Sequence, residues 1–102
     1  MFLGGVLMID NAREIAELLK VLANENRLMI VCHLIDAPMT VTELHEKINT
    51  LTQSALSQHL ALLRAHGILS SEKRGLSITY SIKDNRITNV IKVLKENYCD
   101  IK

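Results

Sequence analysis

The chain has 102 residues, of which 48% are hydrophobic and 3% aromatic, and its formal net charge is +1. This composition excludes a disordered tail, a histone-like cationic protein and an aromatic-rich β fold, so packed aliphatic helices are favoured. No apolar run reaches membrane-spanning length and two cysteines are too few for a disulfide framework, so we predict one cytoplasmic domain spanning residues 1–102, with no membrane partner.

The chain opens with residues 1–9, an apolar stretch without the cationic region or cleavage site of a signal peptide. We interpret it as an N-terminal arm that packs on a partner, or as residues upstream of a true start at Met8. Asp10 is placed to cap a first helix that ends near Ala23.

Two further helices follow from capping signals. Asn24 is placed to cap a second helix, which the sequence 36–38, Asp-Ala-Pro, ends. Thr40 and Glu43 have the spacing of a capping box, and this predicts a short third helix from Val41 to about Ile48.

A fourth helix begins after the turn Asn-Thr-Leu at 49–51. Thr52 is placed to cap it, and it runs to about His66. Gly67 stands where a glycine commonly ends a helix.

The hydrophobic period then changes from that of a helix to that of a strand. Residues 76–82 alternate apolar and polar side chains and pair with 68–72 across a turn at 73–75. Asp84 then caps a last helix. Four helices, a β-hairpin and one more helix predict a mainly α fold, the winged helix-turn-helix.

The fourth helix presents a polar arc of roughly 140° that contains no carboxylate. Glutamine pairs with adenine in the major groove, serine contacts base edges or phosphates, and the helix N-terminus at Thr52 attracts phosphate. Alone, such an arc is more often a solvated face. The capping box before this helix and the basic hairpin tip after it favour binding to double-stranded DNA. The arc consists of Gln53, Ser54, Ser57, Gln58, Ala61 and Arg64.

Three more residues complete the predicted DNA-binding set. Lys73 and Arg74 are placed to grip phosphates beside the minor groove. His59, at the border of the leucine face, contacts DNA or bridges the fourth helix to the third, and the sequence leaves both open. No nucleophile–base set or phosphate loop indicates an enzyme.

Three segments, at 18–35, 40–44 and 52–69, resemble the ArsR family of bacterial repressors. The most specific phrase is Ser-x-x-Ser-Gln-His-Leu at 54–60. The resemblance implies a homodimer formed by the first and last helices, a near-palindromic operator, and repression until an inducer binds. The turn at 49–51 is one residue longer than is usual in the family.

The resemblance also raises the question of whether this chain carries the family's sensing motifs. Its Cys-x-Cys metal motif is missing from the third helix, and the last helix has no histidine, so we predict no metal and no cofactor. The pair Cys32 and Cys99 resembles instead the cysteine pair of the branch that senses sulfane sulfur and redox state. We therefore predict a repressor released by thiol modification at these two residues.

Several alternatives stay open. Cys32 is also explained as a small buried hydrophobe and Cys99 as an incidental surface thiol. A metal-responsive or inducer-independent repressor would share the same fold. A dimeric interaction module without DNA binding is a rival of another class, and the cations at 73 and 74 argue against it.

Overall fold

Five helices and three short strands follow one another along residues 2–98. The computed structural model describes the backbone of residues 2–98 and the side chains of residues 11–98. Their order confirms the predicted winged helix-turn-helix. The elements are α1 Phe2–Leu22, α2 Glu25–Asp36, β1 Met39–Thr40, α3 Val41–Lys47, α4 Gln53–Ala65, β2 Leu69–Arg74, β3 Ser77–Ile82 and α5 Asn85–Tyr98.

The first helix begins earlier than the sequence pattern predicts. It starts at Phe2, so the expectation that Asp10 caps it is wrong, and most of the segment interpreted as an arm is helical. Residues 2–9 contain no proline, and their Leu, Met and Ile residues outweigh two glycines of low helix propensity. A potential cap begins a helix only where the residues before it leave the helical conformation.

The other predicted caps are present. The Asn24 carboxamide oxygen accepts hydrogen bonds from two backbone N–H groups at the start of α2. Thr40 and Glu43 form the complete capping box of α3. The Asp84 carboxylate accepts a backbone N–H of the first turn of α5 at 3.0 Å. Each cap satisfies amides that have no partner within their helix.

The strands form one antiparallel sheet in the order β1-β3-β2. β1 was not predicted, because its two residues are too few to show alternation; Met39 pairs with Tyr80 and Thr40 with Thr79. The hairpin turn also differs from the prediction. β2 continues to Arg74, so the connection to β3 is at 75–76 rather than at 73–75.

The core lies between the sheet and all five helices. It contains no buried polar or charged residue among those described, and no described helix is long and apolar enough to cross a membrane. Aliphatic side chains therefore hold the fold together. The buried residues are Val21, Leu22, Ile30, Val31, Leu34, Leu44, Ile48, Leu56, Leu60, Leu63, Ile68, Leu69, Tyr80, Ile87 and Ile91.

Candidate nucleic-acid interface

The two faces of α4 separate as its sequence predicts. Leu56, Leu60 and Leu63 are each 0% exposed and fix the helix against the core. The six residues of the polar arc are all exposed on the other side. The helix therefore offers amides, hydroxyls and one cation to solvent, and no carboxylate that would repel phosphate.

The N-terminus of α4 is held by two side chains. The Thr52 hydroxyl oxygen accepts the backbone N–H of Ala55 at 3.0 Å, which confirms its predicted capping role. Nε2 of His45 in α3 lies 2.8 Å from the carbonyl oxygen of Leu51. A carbonyl only accepts, so the imidazole must carry its proton on Nε2. His45 thus holds the turn between α3 and α4 in place. Sequence reasoning missed this role, although a histidine six residues before Leu51 was a signal that could have indicated it.

The C-terminus of α4 ends in the predicted glycine cap. Gly67 has φ +75, a left-handed conformation that glycine adopts without strain. Its N–H donates to Arg64 O and the N–H of Ile68 donates to Leu63 O, both at 3.0 Å. These two bonds form a Schellman motif, which satisfies carbonyls of the last turn and ends α4.

Arg64 connects α4 to the hairpin of β2 and β3, which we call the wing. Its Nη1 donates to the Ser71 hydroxyl at 2.9 Å. Arg64 is otherwise exposed, and a guanidinium has five N–H donors, so others remain for a phosphate. The bond sets the position of the wing relative to the helix that the sequence predicts to read DNA.

The wing places its two cations on opposite faces. Side chains alternate along a strand, so Lys73 and Arg74 point to opposite sides. Lys73 is exposed on the face that also carries Ser71, whereas Nη2 of Arg74 lies 3.2 Å from a carboxylate oxygen of Glu72. The cations therefore differ in their availability to DNA.

The turn between these strands is occupied by Gly75 and Leu76. Residues 76–82 were predicted to form a half-buried strand, but Leu76 is 101% exposed and Ile78 is 38% exposed. The expectation was wrong at its start because the turn ends at Leu76, one residue later than predicted, and β3 begins at Ser77. This places a leucine at the tip of the wing.

His59 contacts α2, whereas the sequence suggested a contact with DNA or a bridge to α3. Its Nδ1 lies 3.3 Å from Nη1 of Arg27, and Nε of Arg27 donates to the carbonyl of Val21 at 2.6 Å. Burial and then the nearby Arg27 charge lower the pKa of His59. The neutral imidazole accepts from Arg27, so His59 joins α4 to α2 and to the end of α1. Arg27 itself was missed by sequence reasoning.

Cys32 lies at the boundary between α2 and α5. It is half-buried against the core and lines an apolar groove of about 560 Å³ with Leu28, Met29, Leu94 and Tyr98, among other residues. Cys99 lies outside the described residues. In the part of the chain that the structure describes, no group of three His, Cys, Asp or Glu side chains could hold a metal ion.

Comparison with known proteins agrees with this geometry. Residues 24–71 match the model of the bacterial regulatory proteins of the arsR family. The transcriptional activator HlyU of Vibrio cholerae is 39% identical over 92 residues, which cover 90% of this chain and 84% of HlyU.

Solved structures extend the similarity to three dimensions. The reduced HlyU of Vibrio cholerae has a TM-score of 0.84 at 39% identity, covering 90% of this chain and 96% of that one. The transcriptional repressor BigR of Xylella fastidiosa has a TM-score of 0.83 at 34% identity, covering 90% and 93%. The chain belongs to the ArsR family: it is a DNA-binding transcriptional regulator and not an enzyme.

Proposed function

We propose that this chain is a homodimeric repressor whose α4 enters the major groove of a near-palindromic operator. The observation that carries the proposal is the exposed arc of α4, which is rich in hydroxyl and amide groups and has no carboxylate. Gln53, Gln58 and Ser57 provide base readout, while Thr52, Ser54 and Arg64 meet the backbone. His59 positions α4 for DNA binding through its contact with Arg27. Lys73 and Arg74 contact phosphates from the wing.

Exposed apolar side chains on α1 and α5 support a dimer. In the protomer, Leu19 is 55%, Val90 50%, Leu94 47% and Tyr98 76% exposed. A second copy that covers these side chains removes apolar surface from water. Two-fold symmetry then places two copies of α4 on half-sites about one helical turn apart. The protein acts in the cytoplasm as a single domain. Its helical N-terminal segment packs against the partner subunit.

Thiol modification is the proposed input, at Cys32 and Cys99. Support comes from the position of Cys32 in the groove between α2 and α5, and from the solved relative described as reduced HlyU. One thiolate takes a sulfur atom from a polysulfide, forms a persulfide and releases a polysulfide one atom shorter. The other thiolate attacks that persulfide, closes a disulfide and releases hydrosulfide. The link restrains α5 against α2 and thereby alters the dimer.

An operator-binding assay tests the proposal. The probe is a duplex recovered from random-sequence DNA by in vitro selection with the reduced protein. Reduced protein should bind this duplex, and polysulfide-treated protein should release it. Cys32→Ser should bind as well as the unsubstituted protein and ignore polysulfide. Mass spectrometry should show Cys32 linked to Cys99, and finding both thiols unmodified after treatment would refute the redox input.

A further inference from the structure

The tip of the wing carries an exposed leucine that the fold does not need. Leu76 is 101% exposed and makes no part of the core. The two-residue connection uses Gly75 at φ +62, so glycine provides the left-handed conformation that the first position of such a turn requires. The turn therefore depends on Gly75 and the core does not use Leu76, so this apolar side chain is available to a partner outside the protomer.

Charge around Leu76 indicates the kind of partner. Ile78, 38% exposed, pairs in register with Lys73, so apolar and cationic side chains share the tip. Residues 69–82 contain two cations and one carboxylate, and that carboxylate, Glu72, contacts Arg74. Lys73 therefore has the most accessible charge beside Leu76. A positive charge beside an apolar side chain complements a polyanion better than the apolar face of a second protein.

The wing has the reach to bring Leu76 to DNA. The Arg64–Ser71 hydrogen bond fixes the base of the wing to α4. β2 runs on from Ser71 to Arg74, which carries the tip roughly 10 Å farther out at ~3.4 Å per residue. In the proposed complex α4 occupies the major groove and the wing the adjacent minor groove, which is about 6 Å wide.

We propose that Leu76 enters the minor groove beside each half-site as an apolar wedge; this rests on the proposed role of α4 in reading DNA. Such wedges partly unstack a base step, and pyrimidine–purine steps unstack most readily. Leu76 therefore gives the protein a preference for flexible steps at positions that α4 does not touch. The wing thus contributes to specificity as well as to phosphate binding.

Paired in vitro selections test the wedge, with the unsubstituted protein and with Leu76→Asn. Asparagine suits a two-residue turn, so the variant keeps its hairpin. Both proteins should select the same central half-sites, but only the unsubstituted protein should enrich flanking pyrimidine–purine steps. The Kd of Leu76→Asn for the duplex selected by the unsubstituted protein should rise roughly five- to tenfold. Its salt dependence should not change, because no charge is removed.

Two further variants serve as controls. Leu62→Ala truncates another exposed leucine, on α4 but outside the polar arc, and should leave Kd and the flanks unchanged. Leu76→Met keeps the apolar contact and should stay within about twofold of the unsubstituted protein.

The outcomes separate the wedge from the proposed function. Identical flanks and equal Kd values for Leu76→Asn would overturn the wedge and leave the role of α4 intact. A loss of dimerisation in sedimentation, with no change in Kd, would make Leu76 a protein contact and would also overturn it. If the unsubstituted protein selected no common sequence, both the wedge and the proposed function would be wrong.

Discussion

Nη1 of Arg27 lies 3.3 Å from Nδ1 of His59, so a cation of α2 meets an imidazole of α4. The same guanidinium donates from Nε to the backbone carbonyl of Val21 in the last turn of α1. One side chain therefore holds together the end of a helix proposed to form the dimer and the helix proposed to read DNA. This contact makes Arg27 a residue whose loss should affect both stability and operator binding.

Replacing Arg27 with alanine should lower the free energy of unfolding by about 1–3 kcal/mol, because a charged donor to a backbone carbonyl is lost. Urea unfolding followed by circular dichroism measures this change. Arg13→Ala removes an exposed arginine of α1 and should change stability far less. Equal unfolding midpoints for the two variants would contradict the role assigned to Arg27.

Stability should decrease as the pH falls below neutrality. Burial, followed by nearby Arg27 for His59 and by Lys47 for His33, lowers the pKa of both histidines below the usual value. The unfolded chain therefore binds more protons in the window below about 6.5, so acid favours unfolding there.

Urea titrations between about pH 7 and pH 5 test this dependence. His59→Gln keeps an acceptor for Arg27 but does not titrate, so its unfolding free energy should depend less on pH. A variant with the full pH dependence of the unsubstituted protein would show that His59 does not contribute.

Gln58→Ala or Ser57→Ala should weaken discrimination between the selected duplex and a variant with one altered base pair by about 1–3 kcal/mol. The reason is the loss of a hydrogen bond to a base edge. Competition binding with the two duplexes measures it. Asn89→Ala, which removes an exposed amide on α5, is the matched control and should leave discrimination unchanged. Full discrimination by Gln58→Ala would show that another part of α4 faces the bases.

The two wing cations should differ in their effects. Lys73→Ala should weaken binding to all sequences and reduce the slope of log affinity against log salt by about one. Arg74→Ala should have a smaller effect, because Glu72 already contacts that guanidinium. Glu72→Gln should strengthen non-specific binding. Fluorescence anisotropy over a salt series measures all three, and equal slopes for the two cation variants would contradict the difference between them.

Local signals in the sequence were sufficient for much of the fold. Asn24, Thr40, Thr52 and Gly67 mark helix ends through hydrogen bonds with residues a few positions away. The missed features depend on residues distant in sequence or on the absence of a residue that ends a helix. β1 exists because it pairs with β3 across the fold, and α1 extends to Phe2 because nothing before Asp10 ends it.

The candidate site was predicted in the same uneven way. Helical periodicity alone located the exposed arc of α4. It did not show that His59 meets Arg27 or that Arg64 meets Ser71, because these partners are set by tertiary packing. The shift of the hairpin turn to 75–76 decided the faces of Lys73 and Arg74. Alternation shows which side chains of a strand share a face, but the type and length of the turn fix which residues pair across the hairpin.

The anchoring of α4 within its protomer constrains how a signal can release DNA. His45 holds the turn before the helix at Leu51, and three fully buried leucines of α4 pack against the core, so the helix has little freedom to pivot inside its own protomer. In the proposed dimer, an inducer bound elsewhere would therefore act on the distance between the two copies of α4, measured against a DNA repeat of about 34 Å. Such a regulator would lose its avidity for two linked half-sites while keeping its affinity for one.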